Sequence, residues 1–106
     1  MGHLACMQTL HFYQYFLFPG LCRTLTFGIP IEGHALVGHM IRNISIGIHA
    51  SCKHLCTMES QCVSFNIGPP RNGKMICQLS DSDHIKYPGD LKPEEGFEYR
   101  ATQVRI

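Results

Sequence analysis

The sequence has no excess of charge of either sign. It contains nine lysine and arginine residues against eight aspartate and glutamate residues, for a formal net charge of +1, and its basic residues form no run. Proteins that bind nucleic acid through phosphate contacts need a clear basic excess. Attraction to anionic membrane surfaces likewise needs a basic cluster. The charge pattern therefore argues against nucleic-acid partners and against charge-driven membrane binding.

Long apolar runs are also missing. A membrane-spanning helix needs about 20 predominantly apolar residues, and no stretch approaches this, so we predict no membrane insertion. Residues 1–22 hold an apolar and aromatic segment that Gln8, His11 and Gln14 interrupt, whereas a secretory signal normally has a basic n-region and a cleaner apolar core. We interpret residues 1–22 either as an atypical signal peptide or as a disordered N-terminal tail or extra strand. Residues 23–106 form the predicted domain.

Catalytic and cofactor-binding motifs are absent from the sequence too. It has no glycine-rich phosphate loop and no nucleophile elbow. His34 and His39 are an odd number of positions apart in a predicted strand, so they point to opposite faces. Asp81, Asp83 and Asp90 do not follow the EF-hand pattern. We therefore predict a protein that is not an enzyme and that has no catalytic residues, no metal site and no cofactor.

Cysteine, in contrast, is abundant, with six in 106 residues. Such a content indicates either disulfides in an oxidising compartment or a metal site in a reducing one. Asn43-Ile44-Ser45 is an acceptor sequon for an N-linked glycan, which favours export. Asn43 is therefore the glycosylation candidate, and we expect it in an exposed connection between a strand and the helix. The predicted location is secreted or extracellular.

Hydrophobic periodicity predicts a strand followed by the single helix of the chain. Residues 35–41 alternate with a period of two, as in a strand, and the two glycines that flank or interrupt this stretch mark a bend or bulge. Residues 49–59 carry an apolar stripe at helical spacing. The stripe includes Cys52 and Cys56, so both cysteines should face the interior.

The second half of the chain predicts a β-hairpin and a final strand. Residues 62–67 and 75–79 are rich in β-forming residues, and the GPPRNGK segment between them holds strong turn signals. Residues 80–95 are polar and are predicted as a surface loop, while residues 96–102 alternate as a strand does. These elements predict an α+β fold in which one helix packs on an antiparallel sheet.

Four cysteines, Cys52, Cys56, Cys62 and Cys77, follow the spacing C-x3-C-x5-C-x14-C. A bridge between the first two would be strained because they lie one turn apart on the predicted helix. If the hairpin turns about its centre, Cys77 lies opposite Ser64 and level with Cys52. In that register the pairs are Cys52–Cys77 and Cys56–Cys62. The competing interpretation is a zinc site, although C-x3-C on a helix differs from the usual two-residue knuckle.

Several segments combine into a pattern. They are GHALVGHMIRN, CVSFNIGPP, MICQLSDSD and PGDLKPEEGFEYR, together with the spacing C-x3-C-x5-C-x-SFN and a later C-x-L. Over about residues 33–99 the chain resembles a PAN/apple domain of the short extracellular animal type. The resemblance implies a curved antiparallel sheet packed around a single helix and stapled by Cys52–Cys77 and Cys56–Cys62. It also implies a non-catalytic module that binds proteins or carbohydrates outside the cell, often within a multidomain parent protein.

Two further cysteines, Cys6 and Cys22, have no assigned partner. Many PAN/apple domains join their termini by an additional disulfide, and Cys22 occupies the first position of such a pair, but no cysteine follows Cys77. Cys22 is therefore either unpaired or paired with Cys6, or the sequence is truncated at its C-terminus.

Loops held by a stapled scaffold are where recognition residues concentrate. The hairpin tip offers Arg71 and Lys74 beside a rigid turn, and the loop of residues 80–95 offers Tyr87. We predict that one of these loops binds the ligand. The predicted function is an extracellular, non-catalytic recognition module with protein or glycan partners. The alternative is a small intracellular zinc-binding module that uses the four clustered cysteines.

Overall fold

A long C-terminal strand organises the fold. The computed structural model describes residues 25–103, so the predicted signal peptide or tail, with Cys6 and Cys22, lies outside the described residues. In chain order the elements are β1 (Thr26–Phe27), β2 (Ile31–Leu36), β3 (Met40–Ile46), α1 (Ala50–Met58), β4 (Ser64–Ile67), β5 (Met75–Ser80), a short 3-10 helix (Pro88–Asp90) and β6 (Leu91–Gln103).

The strands form one curled antiparallel sheet, a half-barrel. Its order is β1-β6-β4-β5-β3, and β2 pairs with β6 on the side away from β4. With α1 packed on the sheet as the one α-helix of the described residues, this is the predicted α+β fold, and that prediction is confirmed. Within residues 25–103, no helix combines the length and the apolar character needed to cross a membrane.

The helix covers one face of the sheet, which we call the closed face. The buried residues beneath it form one cluster: Ile46, Cys52, Cys56, Cys62, Phe65, Ile67, Cys77 and Leu79. Two disulfides tie the helix to the rest of this cluster, Cys52–Cys77 with Cα atoms 5.4 Å apart and Cys56–Cys62 with Cα atoms 5.3 Å apart. Both predicted pairs are confirmed.

The β4–β5 hairpin is confirmed, but its predicted register is wrong by three residues. Cys77 lies opposite Ile67 rather than opposite Ser64. The predicted register assumed a turn in the middle of the connecting segment. The chain instead reverses at Asn72-Gly73, because these two residues adopt the positive φ angles that a tight turn requires. More residues therefore separate the end of β4 from the turn than separate the turn from the start of β5.

The pairing of Cys56 with Cys62 is nevertheless correct, because Cys62 lies outside the hairpin. It precedes β4, in a turn that directly follows the helix. The backbone N–H of Cys62 donates to the carbonyl oxygen of Glu59 at 3.0 Å. This turn returns Cys62 to the end of α1, where Cys56 is buried.

The strand predicted over residues 35–41 is in fact the junction of two strands. β2 ends at Leu36 and β3 begins at Met40, and Gly38, with a φ of 93°, lies in the turn between them. The alternation of apolar residues continues through this turn, so periodicity alone did not reveal it. Gly33, with a φ of 72°, lies at an irregularity in the β2–β6 pairing, and the predicted bulge is confirmed there.

The final strand is longer than predicted. β6 begins at Leu91 and includes Pro93, within the predicted loop of residues 80–95. Proline has no N–H for a strand partner, so it is tolerated where one strand edge is free. β4 pairs with β6 only between Glu98 and Ala101, which leaves that side of β6 unpaired at Pro93.

Part of β2 and part of β6 fold over the face of the sheet opposite α1. We call residues 34–36 and 91–95 the arm, and the face beneath them the open face. Asn66 holds the arm down with its buried side chain. Its Oδ1 accepts the Leu36 N–H and its Nδ2 donates to the Leu36 carbonyl oxygen, each at 2.9 Å. Leu36 also packs in a second buried cluster with Tyr99 and Ala101.

Candidate functional site

The open face carries a row of polar side chains between exposed apolar ones. Asn43, Gln78 and Asn66 are direct cross-strand partners on β3, β5 and β4, and partners in register point to the same face. Two residues closer to the hairpin tip, Ser45 of β3 pairs with Ile76 of β5 on the same face. Because Asn66 alternates with the buried Phe65 and Ile67 of the closed face, this whole row lies on the open face.

The hairpin tip is a tight two-residue turn. The Arg71 N–H donates to the Lys74 carbonyl oxygen at 2.7 Å, and the Lys74 N–H donates back to the Arg71 oxygen at 3.0 Å. Asn72 and Gly73 between them have φ angles of 55° and 79°, which is the type I′ geometry that Asn-Gly favours. The tip is therefore fixed by its own backbone.

This turn places two cations side by side. Residues that exchange both backbone hydrogen bonds have Cα atoms about 5.5 Å apart and side chains on the same face. Arg71 and Lys74 are both exposed, and neither forms an ion pair with a carboxylate of residues 25–103. The predicted tip residues are thus brought together and remain free to bind an anion.

An apolar groove of about 400 Å³, which we call the tip groove, lies beside these cations. Its apolar surface comes from Pro69, Ile76 and Phe97, with Arg71 and Lys74 at its margin. Ile76 is 44% exposed, a high value for a strand residue flanked by strands on both sides. The groove therefore offers a partly solvated apolar surface next to two unpaired positive charges.

Two glycines allow the apolar wall to form. A Cβ atom on Gly68 would lie 3.2 Å from the Phe97 ring, and a Cβ atom on Gly96 would lie 3.1 Å from the Pro69 ring. A larger residue at either position would therefore require the facing ring to move by a few tenths of an ångström. Gly96 also has a φ of 84°, which disfavours other residues at this point.

A second, smaller groove of about 230 Å³ lies under the arm, and we call it the arm groove. It shares Phe97 with the tip groove and is also lined by Val37, Met40, Gln78 and Glu94. The two grooves together follow the open face along β5. Sequence reasoning missed the arm groove because it forms only when the arm folds back over strands that are distant in sequence.

Tyr87 belongs to a different region. Its ring stacks on His39 at a centroid distance of 4.3 Å, and His39 Nε2 lies 2.8 Å from Asp90 Oδ2. His39 directly precedes β3, whose first residue, Met40, pairs with Ser80. Tyr87 is therefore near the end of β5 that is remote from the hairpin tip. The structure does not bring Tyr87 together with the two tip cations.

A third cavity of about 660 Å³ lies near β1 and the end of β6. At its base the buried Tyr99 hydroxyl accepts the backbone N–H of His84 at 2.8 Å and lies 3.1 Å from His84 Nδ1. Burial raises the pKa of Tyr99 above 10.0, although hydrogen bonds from His84 and Ser64 oppose the rise. The exposed Ile29 and Ile85 form the rim of this cavity. With its hydroxyl already hydrogen-bonded, Tyr99 acts here as a structural residue.

Asn43 is exposed, as predicted, but it does not lie in a connection between elements. It lies within β3, at the edge of the sheet, opposite Gln78. The predicted strand ended at residue 41, whereas β3 continues to Ile46. This displaced strand boundary accounts for the error.

The four clustered cysteines are bonded in pairs in this structure, which leaves none of them as a thiolate for zinc. Their oxidised state indicates an oxidising environment. In the described part of the chain, no group of three or more histidine, cysteine, aspartate or glutamate side chains could hold a metal ion. His34 and His39, together with Asp81, Asp83 and Asp90, therefore form no such group.

No family model and no curated protein matches the chain.

Proposed function

We propose that this chain is a secreted, non-catalytic recognition module of the PAN/apple type that binds an anionic glycan at its hairpin tip. One observation carries the proposal. Arg71 and Lys74, two cations without a carboxylate partner among residues 25–103, stand together on a rigid turn above the apolar tip groove. The two disulfides support the extracellular assignment.

The geometry suits a sulfated sugar. Arg71 can bind a sulfate or carboxylate through two parallel N–H groups, while Lys74 acts as a point charge beside it. The Phe97 ring and the Ile76 side chain can contact the apolar face of a sugar ring in the tip groove. The backbone hydrogen bonds of the turn fix the backbone of both residues before binding, so little backbone entropy is lost there, and the entropic cost of binding falls on the two long side chains.

The test is the affinity of the folded, secreted domain for heparin-derived oligosaccharides, measured by calorimetry. The Arg71→Ala/Lys74→Ala double variant should bind at least about tenfold more weakly, since a tenfold change corresponds to about 1.4 kcal/mol and hydrogen bonds to charged groups contribute about 1.5–3 kcal/mol each. The matched control is Lys53→Ala/Lys92→Ala, which removes the same charge from exposed positions outside the tip groove.

The control variant should bind within about twofold of the unmodified sequence. Binding of the unmodified sequence should also weaken between 50 and 300 mM salt, because exposed charges are screened within about 8–10 Å at physiological ionic strength. Equal affinities of the double variant and its control would reject the hairpin tip as the binding surface.

A further inference from the structure

The sequon at Asn43 lies on the same face of the sheet as both grooves. Asn43 and Ser45 are two positions apart on β3, so their side chains point in the same direction. Ser45 lines the tip groove, and Gln78, the cross-strand partner of Asn43, lines the arm groove. Directly paired side chains are about 5 Å apart, and alternate residues of a strand about 6.7 Å apart. Asn43 therefore stands between the two grooves, within one side-chain spacing of each.

The side chain of Asn43 is free to be modified. It is exposed on the edge strand β3 and forms no hydrogen bond with residues 25–103. Its neighbours in the same row, in contrast, are hydrogen-bonded. Asn66 Nδ2 donates to Gln78 Oε1 at 3.1 Å and to the Leu36 carbonyl oxygen. A group attached to the Asn43 amide nitrogen would displace no packed side chain and would break no hydrogen bond of the described fold.

From this placement we infer that Asn43 carries an N-linked glycan that rises from the open face and covers both grooves, so that glycosylation weakens ligand binding. In the modification, the Asn43 amide nitrogen forms a bond to the anomeric carbon of a lipid-pyrophosphate-linked oligosaccharide. The bond from that carbon to the pyrophosphate breaks, the pyrophosphate leaves with the electron pair, and one amide proton is released. The weakening of ligand binding rests on the proposed function, whereas the covering of the grooves does not.

Two methionines provide a test of coverage that needs no ligand. Met40 lines the arm groove and is 49% exposed, while Met58 ends α1 and is 50% exposed. Secreted protein from animal cells is compared with its Asn43→Gln variant by mass spectrometry and by the rate of methionine oxidation with dilute peroxide. We expect one glycan on the unmodified sequence and none on the variant. Oxidation of Met40 should be at least threefold slower in the glycosylated protein, with Met58 unchanged.

A relocated glycan provides the matched control for binding. In the combined variant Asn43→Gln/His49→Asn, the new sequon of residues 49–51 moves the sugar to the start of α1, where position 49 faces Glu98 of the closed face. Heparin-derived oligosaccharide should bind Asn43→Gln and this relocated form with equal affinity. The protein glycosylated at Asn43 should bind at least fivefold more weakly than either.

Each result decides a separate part of the inference. Secreted protein without added mass would reject the modification, and equal oxidation of Met40 with and without the glycan would reject coverage of the grooves. Equal affinities in all three forms would reject the effect on binding. Binding by none of the forms would reject the proposed function together with that effect, while slower Met40 oxidation would still establish that the glycan covers the arm groove.

Discussion

The two faces of the sheet differ in how uniformly they bury their side chains. On the closed face, Cys52, Cys56, Phe65 and Leu79 are at most 1% exposed. On the open face, Asn66 and Tyr99 are also at most 1% exposed, but Met40 and Ile76 keep nearly half of their surface in water. The closed face is held by two disulfides and a helix, whereas the arm reaches the open face through the side chain of one asparagine and a small apolar cluster.

This difference assigns separate tasks to the two faces. A domain of this size buries a modest fraction of its surface, so covalent links add needed stability. Because the closed face supplies that stability, the open face can leave apolar side chains and cations in solvent. We therefore expect changes to the closed face to abolish the fold, and changes to the open face to alter stability less while altering the grooves.

The largest effect is expected from the disulfides. In the chain-entropy model, Cys52–Cys77, with a sequence separation of 25, contributes about 3.5 kcal/mol, and Cys56–Cys62, with a separation of 6, about 2.2 kcal/mol. Small domains have unfolding free energies of about 5–15 kcal/mol. Replacing all four cysteines by alanine should therefore leave the chain unfolded at 25 °C, as measured by circular dichroism. A cooperative unfolding transition in that variant would contradict the assigned role of the closed face.

The next largest effect is expected at Asn66, which joins the arm to the open face. Asn66→Ala would leave the buried N–H and carbonyl groups of Leu36 without partners, and each such loss costs about 1–3 kcal/mol. We expect a decrease of about 3 kcal/mol in the free energy of unfolding, measured with denaturant. Asn43→Ala in unglycosylated protein is the control and should change it by less than about 0.5 kcal/mol. A loss below 1 kcal/mol for Asn66→Ala would mean that other contacts hold the arm.

The sequence predicted the closed face well because that face depends on local patterns. The helical stripe placed Cys52 and Cys56 on one side, and the turn signals between residues 67 and 75 indicated the hairpin. The cysteine pairs were also correct, although the assumed register was three residues in error. The predicted pair Cys56–Cys62 did not depend on the register, because the turn after α1, and not the hairpin, determines the position of Cys62.

The open face could not be predicted from the sequence, because long-range contacts form it. Leu36 and Asn66 are 30 positions apart, and no periodic pattern connects them. The polar residues and the proline of 91–95 indicated a loop, whereas pairing with β2 makes this segment a strand. Arg71 and Lys74 were recognised from composition, but the apolar groove beside them depends on Phe97, which lies on another strand.

A smaller effect is expected at Gly96, which shapes the tip groove. Gly96→Ala would force alanine into a positive φ and bring its Cβ within 3.1 Å of Pro69. Strain of this kind costs about 1–3 kcal/mol, so we expect a loss of about 2 kcal/mol together with weaker oligosaccharide binding. Gly47→Ala is the control, since a Cβ there meets nothing within 4 Å. Equal stability of the two variants would show that Gly96 does not constrain the groove.

The smallest effect is expected at alkaline pH, through Tyr99. Well below pH 10 this residue is protonated in both the folded and the unfolded state, so it adds no pH dependence. Above pH 10 the unfolded state ionises first, because burial raises the pKa of Tyr99 in the folded state. The free energy of unfolding should therefore fall by at most about 1.4 kcal/mol per pH unit as the pH rises toward the raised pKa. The measurement compares denaturant unfolding at pH 9 and pH 10.5.

The variant Tyr99→Phe separates this contribution from other alkaline titrations. It should be less stable at neutral pH, because the backbone N–H of His84 loses its acceptor. Its further loss between pH 9 and pH 10.5 should be smaller than that of the unmodified sequence. An identical loss in both proteins would show that Tyr99 does not titrate differently on folding.

The division of tasks between the two faces is tested most directly by identifying the residues whose backbone amides respond to ligand binding. The measurement is the change in amide NMR shifts of the Asn43→Gln protein on addition of a heparin-derived oligosaccharide. We predict the largest shifts at Gly68, in residues 71–76 and at Phe97, with residues 50–59 of the closed face unchanged. Shifts concentrated on α1, or around His84 and Tyr99, would contradict the assignment of the binding surface to the open face.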